Sequence, residues 1–260
     1  MYCSHLTETP EPTYAEALHF FQTLHRGDAV PLEVTEFRAW LRRALDDDRA
    51  KQVTQGRTNG LINHILVTQN WFETDDDVPE SDEHARSSID TGKQVDAELA
   101  ALHAGVAHDY VDRYTTWLVI YFCQRQWLPL AFQTPIWATD GGSVRTSADI
   151  IVYDLVRRRF ALVELKTGYD NNYDAALRAR TDLDYFEKTR RTMCHLQLGW
   201  MYFELDRAAH PWPLDAYVLR VSTKHGVRQP EPLQHEVADF YRHLYAAAGR
   251  GLTHLAAPDE

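Results

Sequence analysis

With 260 residues, 27 Lys and Arg against 38 Asp and Glu, a formal net charge of −11 and 44% hydrophobic residues, the chain is long and apolar enough for one large domain or a domain with extensions. No stretch approaches the roughly 20 apolar residues of a membrane span, the opening residues lack the basic and apolar regions of a secretory leader, and Cys3, Cys123 and Cys194 are too scattered for a disulfide framework. The expectation is an intracellular protein of a reducing compartment, cytoplasmic or nuclear, with no membrane and no secretion.

The N-terminal part reads as helical. In "TYAEALHFFQTLHRG", Thr13 and Glu16 form a T-x-x-E capping box and Gly27 closes the helix. Residues 35–45 show helical spacing, and residues 60–72 predict a third helix. Between 73 and 84 lie seven acids and no Lys or Arg, read as a solvated loop. These elements predict a helical extension and acidic loop over 1–85, ahead of a core over 86–260.

Residues 91–105 place Val95, Leu99, Leu102 and Val106 on one helical stripe. A core helix is predicted over 117–132, and then the period shortens. Residues 132–139, 148–154 and 159–167 read as three successive strands. A long helix spans about 174–205, a fourth strand 215–222 and a closing helix 233–249, ended by Gly249. The fold class is α/β, a central mixed β-sheet flanked by helices in the order αβββαβ.

The third strand is unusual. Phe160 to Leu165 looks buried, yet it contains Glu164, and Lys166 follows two places later. A strand's period of two puts both on one face, and burying such ions without partners costs several kcal/mol. If the second and third strands pair as a hairpin, Asp149 falls on the neighbouring strand near that face. Two carboxylates so placed suit Mg²⁺ or Mn²⁺, which prefer oxygen ligands, and a lysine beside them can hold a water and stabilise charge on phosphate. None of the 13 histidines stands in an H-x-H or H-E-x-x-H pattern, so zinc is not expected.

"SADIIVYDLVRRRFALVELKTG" resembles the D-x(n)-E-x-K signature of the PD-(D/E)XK nuclease superfamily, whose restriction-endonuclease-like core has the same αβββαβ order. Two flanking segments resemble the branch of the RecB nuclease domain and lambda-type exonucleases. "TGKQVDAEL" is similar to its G-x-x-x-H-x-x-[LI]-E helix, with Asp96 standing where the metal-binding His belongs and Ala100 in place of the Glu. "HLQLGWMYF" is similar to its Q-x-x-x-Y helix, with Gln197 as the glutamine and the tyrosine displaced by one to Tyr202.

The resemblance, over about residues 88–222, implies a metal-dependent deoxyribonuclease, an exonuclease acting on DNA ends in recombination, repair or genome processing. Asp149, Glu164 and Asp96 would hold Mg²⁺ (or Mn²⁺), Lys166 would orient water, and Gln197 would position the lysine and the strand. Glu98 is the alternative to Asp96; two positions apart, about 200° around a helix, they cannot both face one site. Arg190 could take a phosphate, and Tyr169 and Tyr173 could stack on bases; a solvated basic face and core tyrosines are the plain alternatives. Arg157, Arg158 and Arg159 read as a solvated hairpin turn, and His195 as structural. The rival reading is a catalytically inactive module that retains the fold for nucleic-acid binding or protein interaction.

Overall fold

The computed structural model describes residues 11–52, 58–59, 83–106, 111–137, 144–168, 173–174, 186, 189–207 and 211–247. The expected helix at 60–72 and nearly all of the acidic loop lie outside these.

Helix α1 (Tyr14–Phe21) begins with the expected capping box: Glu16 N–H donates to Thr13 Oγ1, and Thr13 N–H donates to the Glu16 carboxylate. The chain breaks at Gln22 and resumes as α2 (Thr23–Arg26), which Gly27 ends at φ 73. Helix α3 (Leu32–Gln52), strand β1 (Thr58–Asn59) and helix α4 (Glu83–His103) follow.

Helix α5 (Arg113–Arg125) is capped by Asp112, whose carboxylate accepts from Tyr114 N–H, and it stops at Gln126 in the left-handed conformation. Strand β2 (Trp127–Trp137) starts at once, so the helix expected over 117–132 is half strand. The cause is local. Pro129 disfavours a helix interior, and here it lies at a register irregularity of a strand that, among the described residues, pairs with β3 (Val144–Asp154) alone. Trp127 Nε1 donates to Asp154 Oδ2 at 3.0 Å, pinning the start of β2 to the end of β3.

Strand β4 (Arg159–Thr167) returns antiparallel to β3, and helix α6 (Arg190–Arg207) carries the chain to β5 (Leu214–Ser222), parallel to β4. Short strands β6 (Gly226–Val227) and β7 (Glu231–Pro232) pair with β5, and α7 (His235–Ala247) closes the described fold. The sheet is mixed and flanked by helices, as expected.

Alternate residues of β4 feed different cores. Ala161, Val163 and Leu165 pack with α1, α4 and α5; Phe160 and Leu162 pack with α3, α6 and α7. The N-terminal helices therefore belong to the packed layers. Phe37 of α3 stacks on Phe160 with centroids 4.1 Å apart, and Glu33 accepts from Tyr153 Oη (2.6 Å) and from Arg158. The hairpin arginines are not merely solvated. Arg157 reaches Tyr217 Oη, Arg158 reaches Glu33, and Arg159 pairs with Asp215 on the adjacent strand, because the short turn aims each at a neighbouring element.

Phe37→Ala should cost about 3–5 kcal/mol, the usual loss for a buried aromatic ring, and should lower the urea midpoint of the whole protein in a single transition. A separate early transition would mean that α3 folds independently of the sheet.

Candidate functional site

The β3–β4 ladder runs from Asp154↔Arg159 to Ile150↔Val163 and stops there. One residue beyond, the Asp149 side chain takes over: its Oδ2 accepts from Leu165 N–H at 2.8 Å, and its Oδ1 accepts from Gln133 Nε2 at 3.3 Å. A carboxylate thus occupies the position of a ladder carbonyl. Ala148 packs into the core on the α6 side and Ile150 into the opposite one, so the side-chain alternation of β3 slips by one at Asp149.

Glu164 shares the face of Phe160 and Leu162 and is completely buried. Its Oε1 accepts from Lys166 Nζ at 2.5 Å, while its Oε2 is buried with no hydrogen-bond partner. Burial first, then the charge of Asp149, pushes the Glu164 carboxyl up to about 8, against the pull of Lys166. Burial also raises Asp149, again opposed by Lys166.

Asp96 joins them from α4. It is half-buried, and burial followed by the charge of Asp149 lifts its carboxyl to about 7, with Lys166 opposing. Glu98 faces elsewhere. It accepts from Gln94 Nε2 (2.8 Å), Asp112 N–H (2.9 Å) and Thr115 Oγ1 (2.7 Å), stapling α4 to the start of α5. Gly92 lets α4 come this close: a β-carbon there would lie 3.2 Å from Thr167 Oγ1 on β4. Gly168, at φ 78, then turns the chain out of β4.

From the other side, α6 contributes Cys194, a buried thiol raised to about 11 by burial, which also feels Lys166, Glu164, Asp149 and Arg190. Gln197 lies one turn further, half-buried, with no side-chain hydrogen bond among the described residues, so its expected contact with Lys166 is not made here. Arg190 is half-buried at the first residue of α6. Tyr169 lies outside the described residues. Tyr173 departs from expectation: it is 1% exposed, with the Arg220 guanidinium 4.0 Å and that of Arg191 5.3 Å from its ring centre, so the ring has no open face for a base.

Gln133 had no sequence signal. It is one amide in an apolar strand, yet it takes φ 46, the left-handed region that non-glycine residues seldom enter, while donating to Asp149.

Among the described residues, no group of three or more His, Cys, Asp or Glu side chains is gathered to hold a metal ion as it stands. Asp96, Asp149 and Glu164 share one electrostatic neighbourhood rather than a preformed cage. Their chemistry nevertheless fits a hard divalent cation. All three offer oxygen, and Glu164 Oε2 is a buried acceptor without a donor.

No protein-family profile matches the chain, and no curated protein matches it at significant similarity.

Two predictions follow from these charges. In EDTA the folded state holds protons on Asp96 and Glu164 that the unfolded chain releases near pH 4, so stability present below pH 4 is lost as pH rises toward about 8. Glu164→Gln should flatten that fall in a series of urea midpoints; an identical slope would contradict the coupling. In EDTA at pH 8, Asp96→Asn should raise the urea midpoint, whereas Glu98→Gln should lower it, with a loss of stability of about 1–3 kcal/mol through its lost acceptor.

Proposed function

We propose that this chain is a metal-dependent deoxyribonuclease with an αβββαβ core of the PD-(D/E)XK type, acting as an exonuclease on DNA ends. The observation that carries the reading is the buried Glu164–Lys166 pair on one face of β4, with Asp149 at the point where β3 leaves the ladder. A structural ion pair would explain Glu164 and Lys166 alone. It would not explain why Asp149 and Asp96 add two further acids to the same lysine, or why Gly92 draws α4 against Thr167.

In this reading Asp149, Glu164 and Asp96 would hold Mg²⁺ or Mn²⁺, which when bound supplies Lewis acidity and neutralises charge at a phosphodiester. Lys166, whose side chain is 20% exposed, keeps its ammonium at the edge of the buried carboxylates, where it orients a water toward phosphorus. The same ammonium stabilises the negative charge that develops as the water oxygen bonds to phosphorus and the ester P–O bond breaks. The attacking water gives up one proton to solvent and the leaving oxygen takes one up from solvent, so the hydrolysis balances. Gln133 holds Asp149 in its rotamer, and Gln197 offers an amide toward the strand from α6.

A net charge of −11 and the absence of a gathered metal group among the described residues favour a second reading, a non-cleaving module on the same fold. End-labelled linear and closed circular DNA, each with Mg²⁺, Mn²⁺ or EDTA, separate the two. The exonuclease reading expects metal-dependent loss of the linear substrate alone. Lys166→Ala should then cut the rate about 10²–10³-fold, the scale of losing one electrostatic donor, with the fold intact by circular dichroism. Full activity in that variant overturns the assignment; no cleavage under any condition leaves the non-cleaving module.

A further inference from the structure

Beside the carboxylate cluster lies a second charged constellation that the proposed chemistry does not use. A cavity of about 690 Å³ opens between the start of α6, strand β5 and the segment from β6 to β7. Arg191, His195, Arg220, Arg228 and Glu231 line it.

Glu231 organises the arginines and keeps little acceptor capacity for itself. Its Oε1 is paired with Arg220 (3.1 Å), and its Oε2 with Arg191 (3.1 Å) and His195 Nε2 (3.8 Å). Burial raises this carboxyl, but His195, Arg191 and Arg220 outweigh it and hold the group below the ordinary value. The Tyr173 ring lies 4.0 Å from the Arg220 guanidinium and packs against its plane.

Donors remain after these pairings. Arg220 Nε is buried with no hydrogen-bond partner, and so is His195 Nε2, on a residue only 1% exposed. The His195 proton can be placed: Nδ1 accepts from Gln234 N–H at 3.3 Å, so the neutral ring carries its hydrogen on Nε2, the nitrogen nearest Glu231 Oε2 at 3.8 Å. Arg228 is exposed at the rim and has no ion-pair partner among the described residues; its backbone N–H is fixed to Arg220 O at 2.8 Å. Arg191 is also paired with Asp174 (3.1 Å), so among the described residues three guanidinium groups meet two carboxylates, which leaves a net positive charge with Arg228 and Arg220 Nε unpaired.

From this we infer that the cavity is an anion site built for a phosphate group, with the Arg191 and Arg220 guanidinium groups and His195 in its wall and Arg228 closing from the rim. The guanidinium fork and the charge favour phosphate, with three or more terminal oxygens, over a carboxylate with two. The site stands whether or not the neighbouring acids cleave DNA. It adjoins that site: Arg220 and Lys166 are register partners on adjacent parallel strands, so both cations lie on one face.

The experiment is binding without catalysis. In EDTA, inorganic phosphate is titrated into the full chain by calorimetry and by ¹⁵N–¹H spectra of the histidine rings, with chloride at matched ionic strength as control. Saturable binding should shift the His195 Nε2 resonance, and Arg228→Glu should weaken it about tenfold or more, as expected for replacing a charge-assisted donor by a repelling charge. Arg191→Gln, half-exposed, gives a second variant should the first misfold. Oligonucleotides with a 5′-phosphate, a 3′-phosphate or neither identify the source. A preference for one phosphorylated end assigns the site to strand termini; binding of the free ion with no end preference assigns it to a soluble phosphate. No saturable effect of phosphate, or the same affinity in both variants as in the wild type, overturns the inference.

Discussion

The end of the β3–β4 ladder is where a side-chain carboxylate replaces a backbone carbonyl. Because Asp149 Oδ2 takes the Leu165 N–H, the two strands need not continue pairing, and the space between them can admit Glu164, Lys166 and a residue from α4. Leu165 keeps a partner for its amide, which a buried N–H requires. The remaining features of the site depend on this exchange. Without it, the slip in the alternation of β3 between Ala148 and Ile150 would leave an unmet backbone donor in the core.

Burial and charge then work against each other in a small volume. Burial raises the carboxyls of Asp96, Asp149 and Glu164, and Lys166 opposes that rise in each. Such shifts arise where burial removes water from carboxylates faster than one ammonium can replace it. The surroundings keep the conflict in place. Gly92 fixes the approach of α4, Glu98 ties that helix to α5, and α6 covers the other side with a buried thiol.

The same logic recurs one strand away. Lys166 and Arg220 are register partners, two like charges on neighbouring strands, and each has its own carboxylate, Glu164 and Glu231. Like charges side by side on a sheet face are unfavourable unless compensated. Two pairings compensate them here, and each leaves a buried atom without a hydrogen-bond partner, Glu164 Oε2 in one and Arg220 Nε in the other. One end of the sheet therefore concentrates charge while its opposite half is occupied by aromatic packing such as Phe37 on Phe160.

Local sequence was enough to determine the strands at 159–167 and 215–222, the Thr13–Glu16 box and the shared strand face of Glu164 and Lys166, because period-two and capping signals involve only neighbours in the chain. It also singled out Asp149 and Asp96, by resemblance and by the sense that ions in an apolar strand need partners. It misread the turn from α5 into β2, where an apolar run suits either element and only pairing with β3 decides. Tertiary structure alone decided that Asp96 and not Glu98 meets the strands, since that depends on how α4 is rotated against β4 at Gly92. It also buried Tyr173 beneath two arginines, gave Gln133 its left-handed backbone beside Asp149, and gathered Arg191, Arg220 and Glu231 into one network. These are contacts between residues far apart in the chain, and no local period encodes which long-range neighbour a side chain will meet.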